Sequence, residues 1–155
     1  MKKILFILTI FLTTFVFTKS HAELIKPNSN IEPYKVVKIQ LTSLMKNNYP
    51  SSDNGIKQTW EFAHPNNQKY TGPLERFKTM IKGNSFSMLL NHNDHQVSEI
   101  YNSEDVATFE VIVLDNDKKY YKFKWQVEKY NKEGPLKDCW LTTAVSPGEP
   151  LGSSI

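Results

Sequence analysis

Apolar positions along the chain fall into three successive patterns. Residues 4–17, ILFILTIFLTTFVF, form one continuous, uncharged, largely apolar run. From Tyr34 to Ile81 apolar residues recur at intervals of three and four, the spacing of one helical face. From Val97 to Val145 they alternate, as in strands with one packed face and one wet face.

The middle pattern predicts three helices. In the first, over 34–48, Tyr34, Val37, Leu41, Leu44 and Met45 share a stripe that Lys35, Lys38 and Lys46 avoid. The preceding SNIE, 29–32, fits a capping box built on Ser29 and Glu32, with Pro33 in the first turn. Asn47 and Asn48 can end this helix. A second helix starts at Ser52 or Asp53 and carries Ile56, Trp60 and Ala63, with Phe62 beside them. Pro65 stops it, because the residue before a proline is pushed out of helical geometry. PNNQKYTG, 65–72, then reads as a loop. Thr71 is the expected cap of the third helix, Pro73 sits in its first turn and Gly83 follows its end. Leu74, Phe77 and Ile81 form its stripe, and Arg76 on its charged face is free to pair with a carboxylate or an anion.

Four strands are expected at 96–101, 105–115, 119–130 and 139–145, joined through turns at 116–118 and 131–138. In the third of them Tyr121, Phe123, Trp125 and Val127 face one way, and Lys122, Lys124, Gln126 and Glu128 the other. Helices first and strands afterwards predict an α+β domain: three N-terminal helices packed on a curved antiparallel sheet of about four strands. The expected division is a signal at 1–22, an arm at 23–30, one domain at 31–146 and a flexible tail at 147–155.

The first pattern changes the reading of charge. Lys2 and Lys3 precede the apolar run, and Ser20 and Ala22 stand at −3 and −1 of a cleavage point before Glu23. That is the form of a secretory signal, and an exported product in the periplasm or outside the cell is expected. The alternative, an uncleaved anchor, needs roughly 20 spanning residues. Removing 22 of the 155 residues leaves 133, enough for one domain, with no stable membrane insertion. Lys2, Lys3 and Lys19 leave with the signal, so 19 basic against 16 acidic residues becomes 16 against 16. A nucleic-acid partner loses its electrostatic support. Cys139 has no second cysteine to pair with in its own chain, and DCWLTTAV suits a buried thiol.

FAHPNN at 62–67, TGPLERF at 71–77, LLNH at 89–92 and the closing CWLTTAV at 139–145 carry a resemblance that covers about 31–146. The chain resembles small bacterial and plastid domains of unassigned function with a nuclear-transport-factor-2-like, or cystatin-like, cone fold. The resemblance implies a cone of helices on a curved sheet. It implies no reaction and no catalytic residues, and it allows a homodimer through a sheet face. Isomerases, dehydratases and pure binding modules share that cone, so fold alone does not choose among them.

LLNHNDHQV, 89–97, places His92, Asp94 and His95 close together. On an extended segment His92 and Asp94 share a face and His95 takes the other, which argues against a metal site; only a loop that brings them together, with His64 as a third donor, leaves metal capture through His92, Asp94 and His95 as a minor alternative. There is no G-x-S-x-G, no H-E-x-x-H and no glycine-rich phosphate loop. The expectation is therefore a non-enzymatic binding or protein-interaction module without catalytic residues, metal or cofactor. The ligand-binding candidates are Trp60, Phe62, His92, Tyr121, Trp125 and Trp140, which either line a pocket for a small apolar ligand or fill the core. The enzymatic alternative uses His92, or His64 at the end of the second helix, as acid or base, with Tyr34 or Tyr121 as hydrogen-bond donor. A filled core of Trp60, Phe77 and Trp125 is preferred over an open one.

Overall fold

A computed structural model describes residues 23–153; the predicted signal segment lies outside the described residues. The helices are α1 (Pro33–Met45), α2 (Asn54–Glu61), α3 (Pro65–Thr71) and α4 (Leu74–Ile81). A single 3-10 turn, Ser87–Leu89, leads into the strands β1 (Asp94–Asn102), β2 (Val106–Leu114), β3 (Lys119–Lys129), β4 (Trp140–Val145) and β5 (Glu149–Ser153). Every named strand pairing is antiparallel, so the architecture is α+β. Among the described residues no helix is long and apolar enough to cross a membrane.

β3 is the spine of the sheet. One edge pairs with β2, and β1 lies beyond it. The other edge is shared: β4 pairs with Trp125–Lys129 and β5 with Lys119–Lys122. Between the two, Ser146 bonds Lys124 through both its backbone N–H and its side-chain oxygen. Phe109, Val111 and Val113 of β2 and Phe123, Trp125 and Val127 of β3 alternate inward and are all buried. Val36, Val37, Leu41 and Leu44 of α1 join that core. Cys139 is buried too, and burial, reinforced by Asp138, pushes its thiol above the ordinary range, which keeps it an inert thiol.

The structure differs from the sequence reading in three elements. No capping box forms: Glu32 occupies the N-cap without a side-chain bond, and Ser29 lies in a turn closed by Asn28. The expected loop is a helix from Pro65 to Thr71, ended by Gly72. α2 stops at Glu61, before the expected Phe62 and Ala63, so Pro65 does not end it but begins the next helix, where its missing N–H costs nothing and its φ is already helical. His64 Nδ1 accepts from Asn66 N–H at 3.1 Å and caps α3. His64 therefore opens a helix, and Thr71 ends one rather than capping α4. The tail expected to be loose contributes β5. Its side chains are all exposed, so it shows no burial alternation, and an edge strand tolerates Pro150.

Two close approaches fix the helices. An alanine Cβ at Gly55 would fall 2.2 Å from the Ser43 carbonyl oxygen, so α2 crosses α1 where only glycine fits. Asp53, at φ +59, gives α2 no side-chain cap; buried Asn47 accepts from Ile56 N–H at 3.0 Å instead. Lys82 at the end of α4 donates to Asp53 at 2.8 Å and holds that carboxyl below its usual range. Arg76 lies over Gly72, and no carboxylate pairs with it among the described residues.

Candidate functional site

The link between α2 and α3 behaves as a fragment of sheet. Thr142 N–H donates to Phe62 O at 2.7 Å, and His64 N–H to Thr142 O at 2.8 Å. This bridge ties the helices to β4 at one point, and beside it they stand away from the sheet. A partly open cavity of about 300 Å³ results. Gln40 and Leu44 of α1 line it with Thr59 and Ala63. Asn67 and Thr71 of α3 form one side, and Phe77, Met80 and Ile81 of α4 another. Phe86 and Leu89 close the wall, and Trp125 with residues 142–145 is the sheet side. A core filled by Trp60, Phe77 and Trp125 was preferred on sequence grounds, and the cavity corrects that preference.

No lining residue is ionisable. The polar groups at the floor bond to one another. Gln40, 1% exposed, accepts through Oε1 from Thr142 Oγ1 at 2.7 Å and from Trp125 Nε1 at 3.1 Å. Its Nε2 donates to Thr59 O at 3.1 Å, and Thr59 Oγ1 donates to Gly55 O at 2.9 Å. Among the described residues no buried side-chain nitrogen or oxygen lacks a partner. The cavity therefore offers apolar wall and aromatic faces, with a neutral, internally satisfied floor.

Behind the Leu89 wall runs a chain of hydrogen bonds. His92, 2% exposed, donates from Nδ1 to the Leu89 carbonyl at 2.7 Å. A carbonyl only accepts, so Nδ1 carries the proton and Nε2 is left as acceptor. His95 Nδ1 donates to it at 2.8 Å, and Lys38 Nζ donates to His95 Nε2 at 2.9 Å. Both rings are thereby neutral, each with its proton on Nδ1. Burial lowers the His92 pKa first, and Lys38 adds to this against the Leu89 carbonyl and Asp94. Burial, then Lys38, then His92 push His95 down to about 4, with Asp94 opposing. The expectation that His92 and His95 face apart fails because β1 begins only at Asp94, and the chain bends at Asn93, between the two rings. His92 thus lies outside the alternation that governs His95. No group of three or more His, Cys, Asp or Glu residues suited to a metal occurs among the described residues.

Residues 28–146 match the family described as "Domain of unknown function (DUF4864)". The chain belongs to this family. No curated protein and no solved structure gives a significant match.

The six ligand candidates of this DUF4864 domain scatter. Trp125 lines the cavity. Trp60 stands outside the lining and packs on Phe77, with ring centroids 4.9 Å apart. Phe62 and Trp140 are core residues, and Lys129 lies 5.3 Å from the Trp140 ring. Tyr121 borders a separate polar depression with Asn84, Asp115 and Asp117. His92 stands behind Leu89. The acid–base alternatives do not converge either: His64 rests against Tyr130, and Tyr34, 47% exposed, has its ring against Phe109. Sequence reasoning missed Gln40, Asn67, Thr71 and Thr142. Gln40 left a signal, because it lies three residues after Val37 and four before Leu44, a polar residue inside the apolar stripe.

Proposed function

We propose that this DUF4864 domain is an exported binding module whose cavity takes a small, uncharged, mainly apolar ligand. The observation that carries the reading is the cavity of about 300 Å³ with no ionisable lining residue and a self-satisfied floor. Its size is at the lower end of small-molecule sites, which run from roughly 300 to 1,000 Å³. A charged ligand would lose its hydration there without a counter-charge, a cost of several kcal/mol by order of magnitude. Acid–base catalysis would need an ionisable group facing the ligand, and the lining supplies none. Export is supported by Lys2, Lys3, the apolar run and the small residues before Glu23, the form of a secretory signal, and the compartment proposed is the periplasm or the outside of the cell. Helices lying on the inner face of the sheet support a cone-like architecture, the form shared with bacterial and plastid relatives in this reading.

The test uses N-phenyl-1-naphthylamine, a neutral dye whose emission rises in apolar surroundings. The chain beginning at Glu23 is expected to bind it with micromolar affinity and to enhance its emission. Ala63→Leu fills the cavity from the helix side and Thr71→Trp from its rim. Each is expected to weaken binding at least about tenfold, the effect of losing roughly 1.4 kcal/mol. Thermal melts confirm that each variant is folded. Unchanged dye emission with the parent protein refutes the reading, as does full binding by both filled variants.

A further inference from the structure

We infer that the His92–His95–Lys38 chain is an acid-sensitive brace on the cavity wall, closed at neutral pH and released as the pair takes up a proton. The inference concerns regulation of the proposed ligand site and rests on that reading. Three connections tie the brace to the cavity. His92 Nδ1–H holds the Leu89 carbonyl, and the Leu89 side chain is a wall of the cavity. Asn91 N–H donates to the Leu44 carbonyl at 2.8 Å, and Leu44 lines the same cavity. Lys38 anchors the far end from α1, the helix that also supplies Gln40 and Leu44.

The chain has one arrangement of protons that satisfies every contact. Leu89 O accepts, both imidazoles donate from Nδ1 and accept at Nε2, and the ammonium only donates. A proton added to His95 must go to Nε2, which then points N–H at the Lys38 ammonium 2.9 Å away. A proton added to His92 goes to Nε2, which then points N–H at the His95 N–H 2.8 Å away. Either event replaces a hydrogen bond with a repulsive contact beside a fixed positive charge. Asp94, on β1, is the acidic group that opposes this, and its Oδ1 already accepts from the backbone N–H of His95. On β2 the residue opposite His95 is Val113, which carries no charge, and the 3-10 turn contributes only the Leu89 carbonyl. Nothing else on the neighbouring strand or turn neutralises the added proton.

The sign follows from the direction of the shifts. His92 and His95 both titrate below their ordinary value of 6.5, His95 at about 4, while the chain is closed. An opened wall returns them toward 6.5. The open form therefore binds more protons between those values, and the closed form loses ground as pH falls from 6.5 toward 4. The contribution of the brace is complete above about pH 6.5. His95 is only half-buried, so solvent screening reduces the gain from its full value to an opening equilibrium about tenfold larger at pH 4.5 than at pH 7.

Two measurements on the chain beginning at Glu23 test this. Hydrogen exchange, corrected for its intrinsic pH dependence, is followed at the amides of residues 88–91 without any ligand. Release of bound N-phenyl-1-naphthylamine is timed by stopped flow at pH 7.0 and 4.5, with circular dichroism confirming the fold at both. Expected are exchange and release each about tenfold faster at pH 4.5, since both pass through the opened wall. His95→Gln can still donate toward His92 and accept from Lys38 but does not titrate, so its exchange and release are expected to change clearly less with pH than the parent's, His92 being the titrating group that remains. Exchange at 88–91 that is flat with pH in the parent, or equally acid-sensitive in His95→Gln, overturns the inference whatever the dye does. Acid-sensitive exchange with an unchanged release rate also overturns it. If the dye does not bind at all, the ligand reading fails, and acid-loosened exchange that His95→Gln reduces still establishes the brace.

Discussion

Gly55→Ala is expected to lower the urea midpoint by about 2 M. The ideal Cβ lies 2.2 Å from the Ser43 oxygen, 2.7 Å from the Ser43 carbon and 2.9 Å from the Asn47 Cα. All three are backbone atoms, so no side chain can swing away. Relief requires α2 to lift from α1. That movement would break the Gly55 N–H to Asn47 O bond at 3.0 Å and the Asn47 cap on Ile56. It would also open the packing of Ile56, which is fully buried. Overpacking of this kind costs roughly 3 kcal/mol or more. The check is equilibrium urea unfolding by tryptophan fluorescence, and a shift below about 0.5 M would mean the helices can part without penalty.

The second large effect belongs to the cavity floor. Gln40→Leu keeps the approximate volume but removes the acceptor shared by Thr142 and Trp125 and the donor to Thr59 O. Trp125 Nε1 is left with only the 3.3 Å contact to Thr142 Oγ1. The expected loss is about 2–4 kcal/mol, the cost of stranding two or three buried polar groups. Thr142→Val alone removes one partner and is expected to cost about 1–2 kcal/mol. The double variant Gln40→Leu, Thr142→Val is expected to lose less than the sum by about 1 kcal/mol or more, because groups in one network are coupled. Denaturation of all four proteins completes the cycle, and strict additivity would show that the floor is not a unit. The same variants leave the apolar walls in place, so dye binding by whatever fraction remains folded separates stability from recognition.

These two residues show how differently sequence and structure speak. Gln40 was readable in part, as a polar position inside a helical stripe. Its partners were not, because Thr142 and Trp125 lie 102 and 85 positions away and no local spacing encodes such pairings. Gly55 was a lone glycine with no motif around it. Its role comes from a neighbouring helix that passes within contact distance. The histidines sit between these cases. LLNHNDHQV announced a cluster, yet alternation placed its two rings on opposite faces, and a bend at Asn93, ahead of the strand, brought them together.

The sequence by itself determined the α+β order, the α4 stripe, the inward face of β3 and the Val37, Leu41 and Leu44 part of the α1 stripe, though not its buried Val36 and Ile39 or its exposed Tyr34. Each is set by periodicity, and burying an apolar face is the dominant local demand on a chain. Tertiary structure alone decided the 65–71 helix, the β5 edge, the cavity and the histidine brace. In the first two, backbone pairing and a side-chain cap outweighed composition. In the last two, the decisive geometry is the gap or contact between elements far apart in the chain, and hydrophobic patterning carries no record of that distance.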